Sequence, residues 1–511
     1  MTYHYDISHR NGARQCKRMF LPENTLAILL QLAHRLLNTI VNDNTNYQET
    51  CMKAMSLSQF LQPGMDYTEL KIQENRSISM AMIDGTLIQN NVSAGGGLLS
   101  RTFKNGVWGL ASSPIINPDS MKEVIRKAAA NAEYLSIRAN KGKVLLPSNT
   151  ASGDYQYFTR KTLWTSQQKS DFLKELDAYI VAKYPDLTTR TLSYSQLEMD
   201  KHIINTENSE LHSMTPRSFI AIVLNITHNG EPLQHHEVVG GLGQFEDNFS
   251  DPKDLFASID SIYQILMDKK NAVFAQPGTF DVVLDSKLAG ILAHEAIGHT
   301  TEADLVINGS IAGDYLNQVV ASPLVTMIDI AHTWDGILCP VPVFIDDEGT
   351  TAEDCMIIEN GVLKNFMQNK ESAERLGQPL TGNARAFSFS DEPLIRMRNT
   401  IVVPGQDKLS EMIASIENGY YLITPSNGQA DMTSEFMFGV TLGYEIKNGK
   451  LGSPIKETTI SGVAFDLLKT VSMVSDDMNW TSSGMCGKKQ PIPVGMGGPA
   501  LKCKVNVGGK K

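Results

Sequence analysis

The feature that most constrains this chain is its recurring Asp-Gly and Asn-Gly pairs, each set between apolar runs of strand character. They occur at Asp84-Gly85, Asn105-Gly106, Asn229-Gly230, Asn360-Gly361, Asn427-Gly428 and Asn448-Gly449. Such a pair takes up the positive φ angles of a tight two-residue turn at little steric cost, so each predicts an antiparallel hairpin. Helices interrupt the pattern. Asn117-Pro118-Asp119 caps "SMKEVIRKAAANAEYL", a second helix runs from about Ser166 to Tyr184 where Pro185 stops it, and a third follows Asp251-Pro252. The run "DKLSEMIASIEN" predicts a further helix, with Gly419 as the glycine that ends it.

With 511 residues the chain exceeds one ordinary core, which predicts more than one domain. The expected organisation is a flexible, basic lead-in over 1–20, a helix-and-sheet domain over 21–277, and a β-rich domain over 278–511 that starts at the Pro277-Gly278 break. The expected fold class is α+β, with a mostly antiparallel, barrel-like second domain. The apolar stretch Leu26–Leu37, broken by Gln31, His34 and Arg35, reads as an amphipathic helix and not as a signal peptide.

The net charge of -11 argues against nucleic acid as a partner, since phosphate binding needs basic surface. No apolar run reaches the length of a membrane span, so no membrane partner is expected. The six cysteines include no CxxC pair, which points to a reduced, cytoplasmic setting.

The chemistry concentrates in "GILAHEAIGHTTEAD", residues 290–304, where His294, Glu295 and His299 fall directly after the apolar strand "FDVVL" and an apolar helix start capped by Asp285 or Ser286. In HExxH the histidines sit four apart on one helix face and the glutamate serves as general base. Here they are five apart, which on an ideal helix separates them by about 140° around the axis. A π-type turn, or a helix end at His299, would bring them together, and Gly298 makes such a distortion cheap. Buried His and Glu need partners, and a cation would satisfy them jointly.

Two histidines leave a catalytic zinc one protein ligand short. Local candidates are Glu302 and Asp304; distant ones are the other histidines and the cysteines. Among the latter, Cys486 stands out in "SSGMCGKKQP", bracketed by Gly484 and Gly487 in an expected loop. A buried free cysteine is also an ordinary small apolar residue.

"LAHEAIGHTTEAD" resembles the zinc segment of the TldD/PmbA family of metallopeptidases, in its catalytic TldD-like branch. The likeness extends through "VFIDDEGTTAED", "TGNARA", "MRNTIVVPG" and "GQADMTSEFMF" to "GMCGKKQPIPVGMGGPALK", over residues 280 to 509. It implies that His294, His299 and Cys486 hold Zn2+ and that Glu295 is catalytic. The implied activity is hydrolysis of small or unfolded peptides, with Glu295 passing a proton from water to the leaving amine. The implied assembly is a dimer, either of two copies or with a related subunit. An alternative is a non-catalytic peptide-binding or assembly subunit with structural zinc. The family pattern differs at Thr300-Thr301, where small and apolar residues are expected. Metal binding needs Cys486 as thiolate, so affinity should fall on acidification. Glu302 and Asp304 are candidates to orient the imidazoles, and Lys488 and Lys489 to meet a substrate carboxylate. An open strand edge beside the zinc would accept an extended peptide.

Overall fold

A computed structural model describes residues 65–509. The lead-in over 1–20 and the amphipathic run Leu26–Leu37 lie outside the described residues.

The first half is built on one sheet. Its strands are β1 (Tyr67–Ile83), β2 (Thr86–Lys104) and β3 (Val107–Ser113), then β4 (Ser152–Gln156), β5 (Thr189–Asn205), β6 (Glu210–His228) and β7 (Glu231–Leu242). The order is β3-β2-β1-β5-β6, with β4 and β7 both paired to β6, and the sheet is antiparallel except where β4 pairs with β6. Asp84-Gly85, Asn105-Gly106 and Asn229-Gly230 all sit at positive φ and turn consecutive strands, as their chemistry predicts. Helix α1 (Pro118–Ala139) is capped by Asn117, whose side chain accepts from the Ser120 amide. Helix α2 (Ser166–Lys183) starts at a Thr165–Gln168 capping box. With α3 (Phe256–Lys269) it buries Phe172, Leu176, Ile259 and Leu266 against Leu192, Ile220 and Leu224 of the sheet.

From Gly278 the chain enters new sheets. Strand β8 (Gly278–Leu284) leads into helix α4 (Ser286–Leu292), which Asp285 caps by accepting from the Lys287 amide. Then come β9 (Met327–Ile330), β10 (Cys355–Glu359), β11 (Val362–Leu363) and β12 (Asn399–Val402), and helix α5 (Leu409–Ala414). They are followed by β13 (Asn418–Ala430), β14 (Glu435–Lys447), β15 (Thr458–Val463), β16 (Asn479–Cys486), β17 (Ile492–Gly498) and β18 (Leu501–Val507). Strands β13-β8-β18-β15-β14 close into a five-stranded barrel, because β14 pairs back to β13. Only β13–β8 is parallel among these pairs. The α+β class and the barrel-like second half are as expected. The other six-stranded sheet runs β11-β10-β9-β12-β17-β16, which leaves β16 as its terminal strand.

Three local expectations are corrected. Asn427-Gly428 does not turn the chain: β13 runs through it, and the turn to β14 falls at 431–434. Gly428 serves close packing, since a Cβ there would lie 1.9 Å from the Phe438 ring. Gly419 does not end a helix. Helix α5 stops at Ala414, and Gly419 sits within β13 beside β8, where a Cβ would meet the Asp281 carbonyl at 2.0 Å. Cys486 is not in a loop but is the last residue of β16.

The two halves meet through buried charge. Arg101 of β2 bonds Glu69 at 2.6 Å and Glu348 at 2.9 Å, and Lys201 of β5 holds Asp347 at 2.7 Å. All five side chains are shielded from solvent.

Candidate metal centre

Helix α4 does not continue as an α-helix. Residues Ala293–Gly298 form a π-turn, and the His299 amide donates to the His294 carbonyl, an i→i+5 bond. That bond fits the extra residue into one turn, so histidines five apart come to one face. The rings of His294 and His299 lie 5.3 Å apart between centroids, inclined at 75°.

Gly298 has a different role from the expected one. Its φ of −55° and ψ of −52° are ordinary helical values, so no unusual backbone freedom is used. The requirement is space: a Cβ there would lie 2.0 Å from the Met397 sulfur. Below the turn, the buried hydroxyls of Thr300 and Thr301 both donate to the Ile297 carbonyl, at 2.8 and 3.0 Å, and Thr301 also donates to the Gly298 carbonyl. The Thr300-Thr301 pair thus adds hydroxyl donors to the carbonyls of the irregular turn.

Strand β16 delivers Cys486 to the same place. Its sulfur lies 3.4 Å from His299 Nε2, and single ligand atoms of His294, His299 and Cys486 all fall within 4.8 Å of one another. Arg396, fully buried, fixes the strand end by donating to the Cys486 carbonyl at 2.7 Å. Glu295 is partly open to solvent, with its carboxylate 3.7 Å from His299 Nε2.

The electrostatics favour a cation here. Both ring nitrogens of His294 are buried without a hydrogen-bond partner, an arrangement that a bound metal would relieve. Burial alone would push the Cys486 thiol up, but the imidazoles of His294 and His299 beside it outweigh that and bring it down to about 4. His299 is also buried, which disfavours its charge, yet Glu302 beside it raises it to about 10. Soft thiolate with two imidazoles is a donor set suited to zinc.

Of the expected orienting groups, Glu302 reaches the histidine: it accepts at 2.8 Å from His299 Nδ1 and is fully buried. Asp304 instead accepts from Lys488 at 2.8 Å. Lys488 donates to Glu302 and to the Ile395 carbonyl as well, so it neutralises the acidic side of the site and is not left for a substrate carboxylate. Lys489 is exposed. Arg396 had no role in the sequence reading; its contact with residue 486 depends on a register that no local pattern encodes.

A second group, Asp200, His202 and His212, also brings ligand atoms within 4.8 Å. Its two rings stack at 3.8 Å and 14°, so their in-plane lone pairs run parallel and do not converge on one ion. The first cluster is the better metal site.

Comparison with known proteins finds relatives over most of the chain. Residues 277–509 match the family described as the PmbA/TldA metallopeptidase C-terminal domain, and residues 68–132 match PmbA/TldA metallopeptidase domain 1. The chain is 32% identical over 471 residues to a Buchnera aphidicola protein named "Metalloprotease TldD homolog", covering 87% of this chain and 93% of that one. It is 29% identical to a Saccharolobus solfataricus protein named "Zinc metalloprotease TldD homolog", over 80% of this chain and 89% of that one. In fold it is similar to TldE from Thermococcus kodakarensis, with a TM-score of 0.66 at 17% identity, over 87% of this chain and 97% of the other. Among the described residues no helix is long and apolar enough to cross a membrane.

Proposed function

The chain belongs to the PmbA/TldD family of metallopeptidases, and on that premise we propose that it hydrolyses peptide bonds with zinc held by His294, His299 and Cys486. The observation that carries the reading is the π-turn, which sets His299 one turn from His294 with the Cys486 sulfur against it. When bound, zinc supplies Lewis acidity, which makes a water easier to deprotonate and polarises a carbonyl. Glu302 keeps the Nδ1 proton of His299, leaving its Nε2 lone pair to face inward. Glu295, beside that nitrogen and reached by solvent, takes a proton from water and hands it to the leaving amine.

The substrate we assign is a small or unfolded peptide in extended form. Strand β16 is the terminal strand of its sheet and ends at Cys486, so main-chain hydrogen bonds along it would bring a peptide to the metal with little sequence preference. The likeness to TldE makes a related subunit, as well as a second copy, a candidate partner.

The test is zinc content and peptide cleavage for wild type and Glu295→Gln. Full zinc with cleavage reduced by roughly 10²–10⁴-fold is expected. Unchanged cleavage would remove Glu295 from the mechanism. A wild type that holds zinc and cleaves nothing would leave the alternative of a non-catalytic assembly subunit. Cys486→Ser should hold zinc poorly, and full loading would take Cys486 out of the ligand set.

A further inference from the structure

A cavity of about 70 Å³ lies between the face of β5 and β6 and the loop 340–345 of the second half. That is room for several waters or one small ligand. Its wall carries three basic side chains, Lys201, Arg217 and Arg385, and one carboxylate, Asp347. Asp347 is already committed, because both its oxygens bond Lys201, at 2.7 and 3.0 Å. The two guanidiniums therefore face the cavity without a carboxylate of their own.

Arg217 is the clearer case. It is 5% exposed, and its Nε is buried with no hydrogen-bond partner. It donates to the Ser482 carbonyl and lies 5.3 Å from the Phe219 ring, and no ion pair to it occurs among the described residues. Among the described residues Arg385 donates only to carbonyls, of Met397 at 2.5 Å and Pro493 at 2.8 Å. Burial, and then Arg385 nearby, pull Arg217 down to about 9. Burial and then Arg396 pull Arg385 to about 10. At Arg217 no acidic group offsets the charge, whereas Asp347 and Asp329 offset part of it at Arg385. A buried guanidinium without a counter-charge is costly, and an anion in the cavity removes that cost. Apart from these charges the wall is mainly apolar, with Met199, Leu242 and Ile492 among its residues.

We propose that this cavity binds a small carboxylate, its charged head on Arg217 and Arg385 and its apolar body against Met199, Leu242 and Ile492. The guanidinium fork suits a carboxylate in two-point contact. The site communicates with the metal centre through β16 and β17. Arg217 holds Ser482 of the strand that ends at Cys486, and Arg385 holds Pro493, next to the Ile492 that pairs with Cys486. A carboxylate drawn to the guanidiniums thus pulls on both strands that frame the cysteine.

The test is calorimetry on the full-length, zinc-loaded protein with 4-methylpentanoate and, as the neutral match, 4-methylpentanamide. The acid is expected to bind at least tenfold tighter than the amide, and Arg217→Met to lose tenfold or more of that binding. Equal binding of acid and amide would overturn the proposal, and so would acid binding unchanged in Arg217→Met, which is what a carboxylate sitting on the zinc would give. The comparison on wild type stands even if Arg217→Met does not fold. Two peptides then distinguish the sources of the carboxylate. If it is the C-terminus of a substrate, which rests on the peptidase reading, an amidated peptide loses at least tenfold in kcat/KM in wild type but not in Arg217→Met. If it is a free acid, both peptides are cleaved alike. The calorimetry needs no turnover, so its failure is separate from a failure of the peptidase reading.

Discussion

At the scale of single residues, the site is tuned by neighbours that are not ligands. Met397 lies where a Cβ on residue 298 would go, so Gly298→Ala should destabilise the protein by about 1–3 kcal/mol, as overpacking does. Because the closest clash is with the Met397 side chain, the Ala293 carbonyl lying farther off at 3.3 Å, Met397→Ala should recover part of that loss. Chemical denaturation of the double-mutant cycle checks this, and strictly additive effects would contradict it. Proton bookkeeping at His299 gives a second prediction. The thiol of Cys486 lies at about 4 and is already ionised at neutral pH, whereas His299 at about 10 is still protonated. Zinc must therefore displace a proton from His299 and not from the cysteine. Affinity should rise with pH throughout the neutral range and fall on acidification, with close to one proton released per zinc near pH 7.5. Calorimetry in buffers of different ionisation heat reads that number; zero release would mean that Glu302 does not hold His299 charged.

Among the elements, the π-turn shows what a sequence discloses and what it withholds. The five-residue spacing demanded a distorted helix, and the helix is distorted where the spacing requires it. The reason first assigned to Gly298 was backbone freedom, and the structure replaces it with contact across the core. The Asn-Gly pairs divide in the same way. Asn360-Gly361 and Asn448-Gly449 turn at positive φ, while Gly428 and Gly419 sit inside a strand because a ring or a neighbouring carbonyl leaves no room for a side chain. Dipeptide chemistry is local, and the residues that crowd a glycine are set by register. The same limit applied to Arg396, and to Cys486 as a strand end. Thr300 and Thr301 yield a prediction at this scale. Thr301→Val keeps the shape but removes the hydroxyl's bonds to the Ile297 and Gly298 carbonyls, so it should cost about 1 kcal/mol and lower zinc occupancy. Normal metal content with normal stability would show that the irregular turn needs no such support.

For the molecule as a whole, the junction between the halves is built on buried ion pairs. Glu348 is fully buried and accepts from Arg101 of the other half and from the Lys370 amide, so Glu348→Ala should destabilise by about 3–5 kcal/mol, the typical effect of stranding a buried partner. It should also let the halves unfold separately, which shows as two transitions in calorimetry in place of one; a single unshifted transition would mean the junction does not couple them. The metal centre has a consequence at this scale that is not catalytic. An ion gripping His294 and Cys486 would tie together two points of the chain almost two hundred residues apart in sequence. It would act as a removable clasp on a very large loop. Chelation should then loosen the C-terminal strands from the rest, so that proteases cut the stripped protein near residue 486 faster than the loaded one. The supply of metal in the cell would set not only how fast the protein works but how long it lasts.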